Sequence, residues 1–194
     1  MAHVFNPALL HRLDDPKRQE YQNPQHLIEK MHPVPNKPLL DFGAGAGYFT
    51  FPIASAFPDN NPVHVVDIQK EMLDHLLKRA KDQELSGRIE PHLLESFPIP
   101  LPDDSLGLAW MINVFHEIGE RKTSLSEIYR MLAPEASLFI VDWKPEETPL
   151  GPPLPERVPE VGIITSLLEA GFSLIRSWEI YPMHLVIEAQ KAQD

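Results

Sequence analysis

Pro-Leu-Leu-Asp-Phe-Gly-Ala-Gly-Ala-Gly-Tyr occupies positions 38–48 of the sequence. The apolar beginning predicts a β-strand over residues 38–42, and the pattern that follows predicts a helix over residues 48–57. Between them lie Gly43, Gly45 and Gly47, three of the chain's nine glycines. Glycine lets the backbone turn tightly and lets a ligand approach the main chain. Because open α/β sheets bind ligands beyond the carboxyl ends of their strands, this turn predicts a binding site.

Apolar strand patterns alternate with helical patterns along the rest of the chain. Strands are predicted at 63–67, 88–94, 106–114, 137–142, 172–180 and 184–189. Such alternation predicts an α/β fold with a mostly parallel sheet between two helical layers, a three-layer α-β-α sandwich. Only three residues, 181–183, join the last two predicted strands, and a connection that short permits only an antiparallel pair.

Length and composition limit the domain count and the chemistry. The 194 residues suit one domain. There is no cysteine, which excludes a disulfide scaffold, thiolate zinc and a cysteine nucleophile. The formal charge of −11 disfavours nucleic acid and a polybasic membrane contact. Since the first residues lack a signal-peptide pattern, we expect a cytoplasmic location.

Two aspartates flank the glycine turn. Asp41 precedes it by two residues, and Asp67 ends the next predicted strand, where a carboxylate can accept hydrogen bonds from a ribose diol. Each has a simpler explanation, which is a contact with loop amides for Asp41 and a helix cap for Asp67. The dinucleotide fingerprint requires a small residue where this chain has Tyr48, so the turn does not match it.

With these features the sequence resembles the class I S-adenosylmethionine-dependent methyltransferases, and in particular their type 11/25-like domain. Residues 39–48 and the segment Val65-Val-Asp67-Ile68 match the first two motifs of that family. Further similar segments follow in order at 94–96, 100–105, 127–134 and 168–172, so that the resemblance extends over roughly residues 35–190. It implies a Rossmann-like, seven-stranded sheet in which strand seven is antiparallel. It also implies that residues 1–34 form an N-terminal helical lid and residues 35–194 the catalytic core of the single domain.

The resemblance also implies a role for individual residues toward S-adenosylmethionine. The methionine part of the cofactor would be held by Asp41 and the backbone of residues 43–45, and its ribose by Asp67. Ile68 would pack on the adenine. Besides Gly43 and Gly45, the resemblance assigns Ala44, Glu95, Ser96 and Asn113 to the cofactor site.

The methyl acceptor is less well defined by the sequence. His116 follows the fourth predicted strand and is a candidate general base, although a structural histidine at a helix start explains it equally well. Phe5, Tyr21 and Trp143 are candidate pocket walls. The nine histidines show no paired spacing, so no metal site is predicted. The absence of cysteine argues against arsenic, and elimination leaves a small-molecule acceptor.

Two other functions stay open. One is an NAD(P)-dependent oxidoreductase, against which Asp41 and Tyr48 argue, and the other is a methyltransferase-like module without activity. The second is suggested by Gly107, where the family has an aspartate, and by Pro134-Glu-Ala136, where it has a proline-glycine-glycine turn. Oligomeric state cannot be read from the sequence. Six prolines within residues 145–159 predict a stiff, ordered loop.

Overall fold

The computed structural model describes residues 16–193 of the chain. Phe5 and the rest of residues 1–15 of the predicted N-terminal lid therefore lie outside the described residues. Seven strands form one sheet: β1 (Leu39–Phe42), β2 (Val63–Asp67), β3 (Ile89–Leu93), β4 (Leu106–Ile112), β5 (Leu132–Trp143), β6 (Ser173–Ser177) and β7 (His184–Gln190). The α-helices are α1 (Arg18–Tyr21), α2 (Pro24–Ile28), α3 (Thr50–Ala56), α4 (Lys70–Asp82), α5 (Arg121–Met131) and α6 (Glu160–Glu169). Two short 3-10 helices span Phe115–Glu117 and Leu154–Glu156.

The sheet confirms the predicted fold class. Its strand order is β3-β2-β1-β4-β5-β7-β6, and β7 pairs antiparallel with both β5 and β6. The other neighbouring strands pair in parallel. The chain moves outward from β1 to β3 and then returns to begin β4 on the other side of β1. The glycine turn after β1 therefore borders the point where the topology switches, which is where ligands bind in such sheets.

Each face of the sheet is covered by helices whose apolar sides match it. Residues of α2, α3 and α4 share one core cluster with Leu39, Val65 and Trp110. Residues of α5 and α6 share the other cluster with Leu40, Val66 and Ile140. The three layers thus follow from alternating side chains along each strand. No helix among residues 16–193 is long and apolar enough to cross a membrane.

The strand predicted at residues 137–142 is shorter than the observed β5. The strand begins at Leu132, directly after α5, rather than at Ser137. The segment Pro134-Glu-Ala136, interpreted from sequence as a turn, belongs to this strand, and its Glu135 has a φ of 66°. Leu132 and Ala133 are buried, so the chain passes from helix to strand inside the core without a connecting loop.

The segment that precedes β1 explains why residue 107 is a glycine. The amide of Gly107 donates to the carbonyl of Pro38 (2.7 Å), and its own carbonyl accepts from the amide of Val34 (3.0 Å). A Cβ atom at this position would lie 2.6 Å from the Val34 carbonyl oxygen. The close approach of the two backbones therefore requires glycine here, where the family pattern has aspartate.

The proline-rich loop is organised around Arg157, whose side chain is buried. Its Nη1 donates to the carbonyls of Lys144 and Glu146, and Nη2 donates to that of Leu150. Its Nε donates to the carbonyl of Pro152. The loop follows β5 and returns the chain to α6, in keeping with the ordered loop that the prolines predict.

Candidate functional site

The glycine turn adopts backbone angles that favour glycine. Gly43, Gly45 and Gly47 have φ values of 79°, 51° and 81°. The amide of Gly43 donates to the carbonyl of Val66 at the end of β2 (2.7 Å). A Cβ atom on Gly43 would lie 2.5 Å from a methyl carbon of Val114. Both the left-handed backbone and the close approach thus favour glycine at position 43.

Asp41 lies on β1 beneath the turn and is almost completely buried (3% exposed). The hydroxyl of Thr50, at the start of α3, donates to its Oδ2 (2.6 Å). Burial raises the pKa of Asp41 to about 7, and the neighbouring charge of Asp67 acts in the same direction. A cationic ligand nearby would favour the ionised carboxylate and so would bind together with the loss of a proton.

Asp67 ends β2 and faces the same turn. Its Oδ2 accepts from the amide of Gly45 and its Oδ1 from the amide of Gln69, both at 2.9 Å. Burial raises the pKa of this carboxyl as well, while these hydrogen bonds oppose the rise. A carboxylate has about four acceptor positions, so the backbone contacts of Asp67 with Gly45, Ile68 and Gln69 leave room for a ligand. The helix-cap interpretation of Asp67 is not confirmed, because Gln69 is the N-cap residue of α4 and this helix has no side-chain cap. The glycine contact shows instead that the side chain supports the turn.

A cavity of about 710 Å³ opens over these residues at the carboxyl ends of β1, β2 and β4. This volume lies within the range of small-molecule and cofactor sites, roughly 300–1,000 Å³. All the residues predicted to bind the cofactor line it. They are Asp41, Gly43, Ala44, Gly45, Asp67, Ile68, Glu95, Ser96 and Asn113.

The outer wall of the cavity follows β2 and β3. Ile68 is 55% exposed, which is unusual for a large apolar side chain, and it lies directly after Asp67. Glu95 and Ser96 follow β3, where the amide of Leu94 donates to the carbonyl of Asp67 (2.9 Å). That hydrogen bond holds the start of the β3–β4 connection beside the end of β2.

Two residues of the N-terminal segment also contribute to the site, and sequence analysis did not identify them. Arg18 lines the cavity and stacks its guanidinium 4.2 Å from the ring centre of Tyr48. Its Nε donates to the side chain of Gln22, which exchanges two amide hydrogen bonds with Asn113 (3.2 and 3.3 Å). Gln22 and Asn113 are 91 positions apart, so no local pattern could have indicated the pair. The φ of Asn113 is 58°, a conformation that asparagine tolerates better than most residues.

His116 lies beside the site rather than in its wall, because it is not among the described residues that line the cavity. Its Nδ1 is 2.7 Å from Oδ1 of Asp142, and its amide donates to Oδ2 of the same side chain. Burial disfavours the charged ring, but the hydrogen bond and charge of Asp142 outweigh it, so the pKa of His116 is raised. Its Nε2 is 3.8 Å from Oε1 of Glu117, which does line the cavity.

The aromatic residues proposed as pocket walls form a separate cluster. Trp143 and His184 are paired across β5 and β7, with ring centres 4.2 Å apart. Tyr21 stacks on His184 at 6.4 Å. Neither Tyr21 nor Trp143 is among the described residues that line the cavity.

Comparison with known proteins agrees with this geometry. The sequence pattern of the methyltransferase-domain family matches residues 39–135, which include the glycine turn, Asp67 and Asn113. The chain belongs to this family. A crystal structure of a SAM-dependent methyltransferase from Aquifex aeolicus is 30% identical and superposes with a TM-score of 0.89, covering 96% of this chain and 99% of that one.

The curated relatives of this methyltransferase domain act on different acceptors. The ubiquinone/menaquinone biosynthesis C-methyltransferase UbiE of Geotalea daltonii is 25% identical over 60% of the chain and 49% of its own length. The 27-O-demethylrifamycin SV methyltransferase of Amycolatopsis mediterranei is 26% identical over 80% of the chain and 56% of its own length. The chain thus spans about half the length of the curated relatives it matches.

Proposed function

We propose that the chain is an S-adenosylmethionine-dependent methyltransferase that acts on a small-molecule acceptor. The observation that carries the proposal is that all nine residues assigned to the cofactor by the family resemblance line one cavity beside the glycine turn. Family membership supports methyl transfer over the oxidoreductase alternative. The relatives named above, which act on a quinone and on a rifamycin, support a small acceptor.

The residues of the cavity fit each part of the cofactor chemically. Asp67 provides free acceptor positions for a diol, and the exposed Ile68 provides an apolar surface for a flat base. Asp41 provides a buried carboxyl group whose ionised form a cation would favour. Arg18 is the basic side chain among the described residues that line the cavity, and we assign it to the carboxylate of the methionine part.

When bound, S-adenosylmethionine supplies a methyl group on a cationic sulfonium. The contribution of the protein is to orient the two reactants and to exclude water, and it must remove a proton only if the acceptor arrives protonated. For such an acceptor we retain His116 as the proposed base. Asp142 holds its Nδ1 and thereby directs Nε2 toward Glu117 at the cavity wall.

Thermal unfolding with S-adenosylhomocysteine, NAD and NADP tests the cofactor assignment. Because a ligand that binds only the native state raises its stability, we expect a rise in Tm with S-adenosylhomocysteine alone. No shift at ligand concentrations far above micromolar would refute the proposal. A shift with NAD or NADP would favour the oxidoreductase instead.

A panel of small acceptors then separates an enzyme from a binding module. Release of S-adenosylhomocysteine in the presence of a phenol, a quinol, an amine or a carboxylate identifies the acceptor class. For a protonated acceptor, His116→Gln should lower kcat and shift its pH profile while the Kd for S-adenosylhomocysteine stays the same. Binding without turnover on any acceptor would support the inactive module.

A further inference from the structure

A second group of polar side chains lies on β2 and β3, away from the cavity. The parallel register pairs His64 with Glu90 and Val66 with His92. Since alternate residues of a strand point to the same face, His64, Glu90 and His92 project from one side of the sheet. β3 is the edge strand, so this face is open to solvent beside Glu90, whose side chain is 58% exposed.

The potential ligand atoms of the three side chains converge on a single point. Nδ1 of His64 is 3.0 Å from Nε2 of His92 and 3.3 Å from Oε2 of Glu90. All three atoms lie within 4.8 Å of one another. Two ligands bound to one zinc ion at tetrahedral angles, with bonds of about 2.0–2.1 Å, are separated by about 3.3 Å. The two printed distances lie within a few tenths of an ångström of that separation, and the third pair of ligand atoms lies within 4.8 Å.

Burial disfavours the charged form of both rings, and the charge of Glu90 acts in the opposite direction. Burial lowers the pKa of His64, and the neighbouring His92 lowers it further. Burial also lowers the pKa of His92. Neutral imidazoles present a lone pair to a metal, and the carboxylate of Glu90 supplies the negative charge that offsets part of the charge of the ion.

A hydrogen bond between the two histidines is the simpler explanation of their contact. One N–H donating to one ring nitrogen accounts for the 3.0 Å separation. It gives no role to the third group, because Glu90 approaches the same Nδ1 that already faces His92. A shared cation gives all three side chains a role at once.

We propose that His64, Glu90 and His92 form a Zn²⁺ site that links the edge strand to β2, with water at the fourth position. Two imidazoles and one carboxylate are donors that zinc accepts readily, and a site with three protein ligands leaves one position open. The net charge of −11 favours the approach of a cation. The sequence prediction of no metal site rested on spacing along the chain, whereas these ligands meet through strand register.

The link would act on the wall of the cavity. β3 ends at Leu93, and Glu95 and Ser96 of the wall follow within three residues. β2 ends at Asp67, three residues after His64. A bound ion thus fixes the relative position of the two strands whose ends hold these side chains.

Zinc titration of the full chain, with any histidine tag removed and after treatment with a chelator, tests this site. Competition with a chromophoric chelator gives the stoichiometry and the Kd without reference to enzymatic activity. We expect one Zn²⁺ per chain and a rise in Tm on binding. His92→Ala and Glu90→Gln should each raise the Kd at least tenfold and remove the rise in Tm.

His32→Ala is the matched control, because this exposed histidine lies before β1 and outside the group. It should leave the stoichiometry, the Kd and the shift in Tm unchanged. Glu90 is exposed, so Glu90→Gln preserves the fold and keeps the test valid if a histidine variant is unstable. Equal zinc affinity of the parent chain and both variants, or no zinc binding by the parent chain, would overturn the proposal.

Discussion

Strand β2 contributes to both sites, and they are built in different ways. Asp67 at its end belongs to the cavity, where it lies beside the glycine turn and Ile68. His64 near its start belongs to the cluster of His64, Glu90 and His92, whose members lie up to 28 positions apart. The first site therefore combines motifs at strand ends that the sequence shows, even though Gly45 and Asp67 are 22 positions apart, whereas only strand register brings the second site together.

The two sites also differ in how deeply they are embedded. Asp41 and Asp67 are 3% and 8% exposed, and they support a turn with three glycines at positive φ. The cluster opens to solvent through Glu90 on an edge strand. We therefore expect changes at the cavity to disturb the whole domain, and changes at the cluster to have local effects.

The largest effect is expected from Gly43→Ala. Positive φ costs an alanine about 1 kcal/mol, and the 2.5 Å approach of its Cβ to Val114 adds strain, for a total of about 2–4 kcal/mol. Urea unfolding measures the loss. Gly87→Ala is the control, because nothing lies within 4 Å of a Cβ there. Equal stability of the two variants would show that the turn is less constrained than its geometry indicates.

Asp67→Ala should chiefly affect ligand binding. It removes the acceptor of the Gly45 and Gln69 amides as well as the proposed diol contact. We expect a 10- to 100-fold weaker Kd for S-adenosylhomocysteine by calorimetry, on the order of 1.5–3 kcal/mol. Asp74→Ala, which removes an exposed ion pair with Lys70, should bind as the parent does. Unchanged affinity of Asp67→Ala would contradict the ribose assignment.

Asp41 should make stability depend on pH. Its pKa is raised from 3.8 to about 7, so its contribution to stability is full below pH 3.8 and is lost as the pH rises through 7. Asp41→Asn removes this dependence. Between pH 5 and pH 8 the parent should lose about 2 kcal/mol of its free energy of unfolding that the variant does not lose. Parallel pH profiles of the two proteins would show that Asp41 is ionised in the native state.

The smallest effect is expected from His92→Ala in the absence of metal. The variant loses one hydrogen bond on an edge strand, which is worth about 1 kcal/mol or less. Urea unfolding in the presence of a chelator measures it, and added zinc should widen the difference from the parent. If His92→Ala lowered the free energy of unfolding in the presence of chelator as much as Gly43→Ala does, the contrast between the two sites would disappear.

The sequence predicts those parts of the molecule that depend on neighbouring residues. The predicted bounds of β2 agree with the structure, because this strand combines a strong apolar pattern with clear ends. The residues proposed to bind the cofactor also reach one cavity, since they lie at or just beyond the ends of strands. Their roles toward the cofactor stay predictions until the ligand experiments are done.

Other features depend on contacts between distant segments and escaped prediction. Arg18 and Gln22 reach the site because the N-terminal segment folds over Tyr48 and Asn113. The early start of β5 was missed because Pro134-Glu-Ala136 has the composition of a turn, while burial of Leu132 and Ala133 keeps the chain in the sheet. Gly107, which suggested a module without activity, is explained by the close approach of the Val34 backbone.

Arg157 shows how a chain can combine many prolines with an ordered loop. Each proline lacks an amide hydrogen, so the six within residues 145–159 remove six backbone donors and leave every carbonyl acceptor in place. A guanidinium carries five N–H groups in a rigid plane, and that of Arg157 serves four carbonyls of residues 144–152. Lysine offers three donors from a single atom and could not reach the same set. The side chain of one residue thus replaces the hydrogen-bond donors that the backbone of its own loop lacks.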